Sequence, residues 1–235
     1  MKIVALGDTH GRDNWKQIVE KEDNVDKWVF IGDYFDTHYN VTVLEQIENF
    51  KEIVQFKKDN LDKVILLIGN HDFHYLKGVS EQYSGHNRFK AKDINEVLEP
   101  AVSTGLLQMC YIYDKYLFTH AGVTKTWCMR NGIDVNNLEE SINTEFMSDL
   151  DSFYFAYGPN MSQTGNDVTQ PPIWVRIPSL LEDMVDGYVC VVGHTTLKEL
   201  TISDNLIGID TIGTTGEFLT IVDGIPSATK LNKNE

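Results

Sequence analysis

The sequence predicts an α/β fold in which two sheets pack face to face with helices outside, an αββα sandwich. Strand-length hydrophobic runs (IVAL, WVFI, VILLI, YLF, YVCVV) recur along the chain, and the first three alternate with helical stretches. The last fifty residues or so instead break into short strands joined by turn pairs.

In chain order, Lys2 to Leu6 reads as a strand, followed by a helical stretch around Asp13 to Glu22. Trp28 to Ile31 is the second strand, and a longer helix near Val41 to Lys58 follows. In that helix Val43, Leu44, Ile47, Phe50, Ile53, Val54 and Phe56 recur mainly at three- and four-residue spacing, as one buried face requires. Val64 to Ile68 completes two βαβ units, which imply parallel strands and right-handed crossovers. The segment 73–105 reads as an insertion carrying a helix over Ala91 to Val102, whose last turn Pro100 disfavours. Leu107 to Tyr113 and Tyr116 to Thr119, separated by Asp114-Lys115, predict a β-hairpin. Helical or irregular sequence follows, with a second rim insertion over 130–172; within it Gly158 to Pro172 is a long loop rich in Gly, Pro, Asn, Ser, Thr and Gln. Strands then follow over Gly187 to Val192, Leu197 to Ser203, Leu206 to Ile209 and Glu217 to Val222, with turns at Asp204-Asn205 and Asp223-Gly224. Residues 1–235 are expected to form one domain.

Composition narrows the function. Hydrophobic residues at 42% and charged residues at 23% suit a globular chain that buries its own core, and no run approaches the roughly 18 apolar residues of a membrane span. Twenty basic against 35 acidic residues give a net charge of −15, which repels polyanions and makes duplex nucleic acid a poor partner. Gly7-Asp8 cuts the first apolar stretch short of a signal-peptide core. Cys110, Cys128 and Cys190 are odd in number and lack a C-x-x-C pair, so reduced thiols in a cytoplasm are expected.

A polar motif follows each hydrophobic run: Gly7-Asp8-Thr9-His10-Gly11, Gly32-Asp33-Tyr34-Phe35-Asp36, Gly69-Asn70-His71-Asp72, Thr119-His120-Ala121-Gly122 and Gly193-His194-Thr195-Thr196. Strand ends on one edge bring such motifs together. Their Asp, His and Asn side chains form the mixed oxygen and nitrogen environment that suits borderline divalent metals. Asp8 and His10, two apart on extended chain, leave the same face and can hold one cation. Asp33 can bridge to a second cation through its two oxygens, and Asn70, His120 and His194 can complete that one. Two cations about 3.5–4 Å apart hold a hydroxide nucleophile and clamp a phosphoryl group. His71, pointing away from Asn70, is expected to protonate the leaving oxygen, with Asp36 accepting its hydrogen bond and raising its pKa. Asp36 is also a favoured helix N-cap type.

These motifs resemble those of the calcineurin-like metallophosphoesterases, nearest the phosphoprotein phosphatase and diadenosine tetraphosphatase branch of bacterial or phage type. The family pattern GD-x-HG, GD-x-x-D, GNH-[ED], a later His and GH-x matches in order from residue 7 to residue 196. The resemblance implies the two-sheet fold, a pair of divalent metal ions (manganese first; iron, zinc, cobalt or nickel otherwise) and the ligand set Asp8, His10, Asp33, Asn70, His120 and His194. It also implies a phosphate-ester substrate, either a phosphoprotein or a small phosphomonoester, with nucleoside polyphosphate or nucleotide diester hydrolysis as the alternative within the family. A non-catalytic metal-binding scaffold is the rival of another class. The chain departs from the family where protein phosphatases carry an Arg after the Asp of GD-x-V-D-R-G, because here Thr37 follows Asp36. Arg176, in Ile173-Trp174-Val175-Arg176, is the first candidate to hold phosphate instead, with Arg88 and Arg12 next.

Asp72 in place of Glu is expected to change little. His38, His74 and His86 fall outside the ligand pattern and are expected at the rim or surface. The run Phe153-Tyr154-Phe155-Ala156-Tyr157 is read as core packing in preference to a nucleobase platform. Buried carboxylates that share a cluster repel one another unless cations neutralise them. Chelator should therefore lower the melting temperature of the protein as isolated, measured by differential scanning fluorimetry; an unchanged melting temperature would refute a shared metal cluster.

Overall fold

The computed structural model describes residues 1–37 and 40–231; His38 lies outside them. Among the described residues two sheets form, as the hydrophobic runs predict. The first has six strands in the order β11-β10-β1-β2-β3-β4, where β1 is Lys2–Leu6, β2 Lys27–Phe30, β3 Val64–Leu67, β4 Leu107–Gln108, β10 Glu217–Val222 and β11 Ile225–Lys230. Strands β1 to β4 run parallel, and β10 and β11 fold back antiparallel at one edge. The second has five strands in the order β5-β6-β7-β9-β8: Cys110–Tyr113, Tyr116–Thr119, Val189–Val192, Leu206–Gly208 and Thr201–Ile202.

Alternation along the strands decides which face meets what. Ile3 and Ala5 of β1, Val29 of β2 and Ile65 and Leu67 of β3 turn towards Phe118 of β6, Val189 and Val191 of β7 and Ile207 of β9, forming the dry layer between the sheets. Their neighbours Val4, Leu6, Phe30, Val64 and Leu66 face the other way, into a core shared with the helices. Two of those helices are α1 (Trp15–Lys21) and α2 (Val43–Asp59). A capping box starts α2: the Glu45 N–H donates to Thr42 Oγ1 at 3.3 Å and the Thr42 N–H to Glu45 Oε2 at 2.6 Å. Ile47, Phe50 and Ile53 bury its inner face, whereas Leu44, expected on that face, is exposed. With Thr42 as the cap, Asp36 is not needed as one.

The structure differs from the sequence reading in four places. The run 107–113 is one strand in pattern but two in space: β4 joins the first sheet, β5 the second, and the break falls at buried Met109. Asn143, on α6 (Leu138–Ser148), holds the break by accepting from the Met109 and Cys110 N–H groups at 2.9 and 3.0 Å and donating to Cys110 O at 2.9 Å. Helix α4 (Ala91–Ser103) continues past Pro100, and the strand expected over 197–203 shrinks to β8. The edge strand β11 escaped notice because it is largely exposed and polar and carries no buried run. Among the described residues no helix is long and apolar enough to cross a membrane.

The parallel strands deliver their carboxyl ends to one edge. Asp8, Asp33 and Asn70 follow β1, β2 and β3, while His120 and His194 follow β6 and β7, so both sheets feed one crevice. Ligand sites of open α/β sheets form at such ends.

Candidate active site

Five strand-end motifs meet around a cavity of about 480 Å³ lined by Asp8, His10, Arg12, Asp33, Asn70, His71, Arg176, His194 and Asp210, with Ser84, Trp174, Thr196, Gly213 and Thr214 completing the wall. His120 and Asp36 lie beneath it, buried.

Backbone geometry makes the convergence possible. Four of the residues concerned adopt left-handed conformations: His10 (φ 44°), Asp33 (53°), Asp36 (60°) and His194 (59°). Such conformations cost roughly 1–3 kcal/mol each and persist where surrounding contacts impose them. His10 therefore reaches the crevice through a turn that begins after Leu6, not by strand alternation with Asp8. Gly32, at φ 104°, packs its Cα against the backbone of Gly69, and a Cβ on Gly69 would collide with the Asp33 carboxylate.

Asp72 welds two of the motifs. Its Oδ2 accepts from the Asp33 and Gly69 N–H groups at 2.8 and 2.9 Å, and its Oδ1 from the Tyr34 N–H at 2.8 Å. Three backbone donors from the ends of β2 and β3 thus share one fully buried carboxylate. Burial and the neighbouring Asp33 push its pKa up to about 7, against the pull of these N–H groups. Asn70 and His71 open the single-turn helix α3 (Asn70–Phe73), which separates their side chains by helical rotation instead of strand alternation.

The ligand-type atoms face inward in tautomers that suit metal binding. His10 Nδ1 and His120 Nδ1 donate to Phe35 O (2.7 Å) and Ile31 O (3.0 Å), which leaves each Nε2 to face Asp33 Oδ2, at 3.7 and 3.4 Å. His120 Nε2 also lies 3.0 Å from Asn70 Oδ1. His194 donates from Nε2 to Trp174 O at 3.2 Å, keeping its Nδ1 lone pair, while its N–H holds both Asp8 oxygens at 3.2 and 3.1 Å. Donor atoms of Asp8, Asp33 and His120 come within 4.8 Å of one another, and all three residues are buried.

The electrostatics of this cluster call for positive charge. Burial and the nearby Asp210 raise the pKa of Asp8 well above the usual carboxylate range. Burial alone would lower the pKa of His120, yet Asp33 and Asp8 lift it to about 10. Carboxylates that draw a proton onto a buried imidazole will draw a divalent cation in its place. The donor set, its tautomers and its charge all fit divalent cation binding.

Beside the cluster stands a hydrogen-bonded pair. The His71 N–H donates to Asp33 Oδ1 at 2.9 Å, and its ring Nδ1 donates to Asp36 Oδ2 at 3.1 Å, leaving Nε2 for the cavity. Burial opposes charge on His71, but Asp33 and Asp36 prevail and raise its pKa. Asp36 is held in turn by the Tyr75 hydroxyl at 2.6 Å and by His74, whose Nε2 lies 2.6 Å away. The Tyr83 N–H donates to His74 Nδ1 at 3.2 Å, which puts the His74 proton on Nε2. Although burial pushes the other way, these donors bring Asp36 down to about 2. Asp36, His71 and His74 also lie within 4.8 Å of one another, but both Asp36 oxygens already accept hydrogen bonds, from His71 and Tyr75, so the group reads as a support for His71 and not as a metal site.

Several expectations need correcting. Arg88 does not line the cavity: the ring of His86 stacks on Tyr75 at 4.8 Å, the Asn87 N–H donates to Tyr75 Oη at 2.8 Å, and Arg88 is left exposed beyond this turn. His74, expected at the rim, is buried under Asp36. Arg12, ranked last, lines the cavity and anchors Nη1 on Asp8 O and Thr9 O at 3.2 and 3.0 Å. Arg176 lines it too, with Nη1 on His194 O (2.9 Å) and Nε on Thr164 O (2.8 Å). Asp210 was missed, although it follows β9 as the motif aspartates follow their strands, and the same strand-end rule would have found it.

The profile of the calcineurin-like phosphoesterases matches residues 1–195, a span that reaches from the first motif to His194. The chain belongs to that family. Its phosphoesterase fold is also that of a crystal structure described as the cold-active protein-tyrosine phosphatase of a psychrophile, Shewanella sp.. The likeness has a TM-score of 0.63 at 20% identity, over 97% of this chain and 77% of that one. No functionally curated protein matches the sequence.

Replacing Asp72 of this phosphoesterase by Ala strands three buried N–H groups. At roughly 1–3 kcal/mol for each unsatisfied group, the variant should lose at least about 3 kcal/mol of unfolding free energy in urea titrations. A loss below about 1 kcal/mol would show that the carboxylate is not the weld described.

Proposed function

We propose that this phosphoesterase hydrolyses phosphomonoesters at a binuclear centre held by Asp8, His10, Asp33, Asn70, His120 and His194. The observation that carries the reading is the Asp36–His71 pair set beside the carboxylate and imidazole cluster in one cavity. Two divalent cations, manganese being the first choice, would supply Lewis-acid polarisation of the phosphoryl group and activation of water. The protein's own groups do the rest. Asp33, whose Oδ2 faces the Nε2 atoms of both His10 and His120, would contribute its carboxylate to holding the cations. Arg176 and Arg12, in the wall, offset the charge of the bound phosphate where the family's Arg is replaced by Thr37. His71, whose pKa the hydrogen-bonded Asp36 raises, gives the proton on Nε2 to the leaving oxygen, and Asp36 stabilises the charge and fixes the ring. The ordered motif set supports a place near the phosphoprotein phosphatase and diadenosine tetraphosphatase branch.

Assay of p-nitrophenyl phosphate, bis-p-nitrophenyl phosphate, diadenosine tetraphosphate and a phosphopeptide side by side with manganese tests the substrate class. Faster turnover of the monoesters is expected, and exclusive turnover of the diester would overturn the preference. Replacing His71 by Asn should lower kcat little for the activated p-nitrophenyl ester and about 10²–10⁴-fold for an alkyl phosphate, because only the poor leaving group needs the proton. Equal losses on both esters would contradict the proton-donor role.

A further inference from the structure

We propose that a second, aromatic-walled cavity next to the metal-type cavity takes the nucleobase of a nucleoside 5′-phosphate ester. The proposal rests on the phosphomonoesterase reading and names its substrate class. This cavity holds about 490 Å³, and Tyr83, Phe155, Tyr157 and Trp174 form its apolar walls. It shares Ser84, Trp174 and Arg176 with the first cavity, so the two are continuous. The Trp174 ring stands between them. It meets the His194 ring edge-on at 5.5 Å on the metal side and the rings of Tyr83 and Phe155 at 4.5 and 5.0 Å on the other. Arg176 spans the same boundary through its bonds to Thr164 O and His194 O.

The walls are built, not incidental. Glu81 accepts the Tyr83 hydroxyl and, at 2.9 Å, the Phe155 N–H, tying the segment after α3 to the segment after α6. The aromatic run expected to pack in the core divides here: Phe153 is fully buried, Phe155 is half-buried and Tyr157 is 58% exposed. Tyr157 meets Phe155 edge-on at 5.3 Å and leaves ring surface open to the cavity. An exposed aromatic surface continuous with a phosphate site is where a planar group of the substrate can stack.

The remaining lining decides which planar group. Gln82, Gln163 and Thr164 put amide and hydroxyl donors and acceptors around the aromatic walls. A nucleobase has matching edge groups, whereas a phenyl ring has none. In an aryl phosphate the ring is bonded to the ester oxygen itself and stays beside His71. In a nucleotide the ribose separates base from phosphate, so the base can pass Trp174 and Arg176 into the second cavity.

The test compares kcat/KM with manganese for adenosine 5′-monophosphate, ribose 5-phosphate and a phosphotyrosine peptide, in the wild type and in Tyr157→Ala. The wild type should favour the nucleotide over ribose 5-phosphate by about tenfold, mainly through KM, and Tyr157→Ala should remove most of that preference. Equal kcat/KM for the two esters, a preference unmoved by Tyr157→Ala, or a preference for the peptide would overturn the subsite. Binding supplies a readout that does not need turnover: adenosine alone should saturably quench tryptophan fluorescence in the wild type and not in Trp174→Phe. If no ester is hydrolysed while adenosine still quenches, the phosphomonoesterase reading fails and the base site stands. If quenching is absent, the base site fails whatever the activity.

Discussion

The Asp72 carboxylate is the contact on which the site depends. It joins the ends of β2 and β3 by accepting N–H groups from Asp33, Tyr34 and Gly69, and it does so where no water competes. Once those two turns are locked together, the Asp33 side chain is free to receive the His71 N–H on one oxygen and face two histidines with the other. The same turns start α3, which separates Asn70 towards His120 from His71 towards Asp36. An acidic residue at this position thus acts as a fixed part of the framework, holding the groups that touch ligand without touching it.

Around that weld, the protein concentrates negative charge and limits the ways it can be neutralised. Asp8, Asp33 and Asp210 are buried together, and backbone carbonyls of Ile31 and Phe35 set the tautomers of two facing histidines. Left-handed backbone at four site residues is the conformational cost of this gathering, offset by the packed sheets behind it. The Asp36 network takes the opposite approach: a hydroxyl and two imidazoles saturate one carboxylate, so His71 gains a partner that cannot drift.

Much of this was legible in the linear chain. The hydrophobic runs located β1, β2, β3, β6 and β7, and the polar motifs after them named the residues that the sheets bring to one edge. Tertiary contacts decided the rest. The run 107–113 alternates like a single strand, and only Asn143, far along the chain, splits it between sheets. Arg88 and Arg12 are equal as cations in the sequence; stacking of His86 on Tyr75 excludes one and the turn after β1 admits the other. The aromatic run at 153–157 carries no periodic signal for which ring is core and which is wall, since that depends on Glu81 and Trp174 arriving from elsewhere.

By itself, then, the sequence determined the α/β layering, the strand ends and the inventory of Asp, His and Asn groups, because strand periodicity and motif order are local properties written in consecutive residues. The tertiary structure alone decided that Asp72 is a weld, that His74 and Tyr75 support Asp36 and that an aromatic cavity adjoins the cluster. Each of these depends on backbone amides, carbonyls or rings contributed by segments distant in the chain, and no local pattern encodes which distant group will meet which.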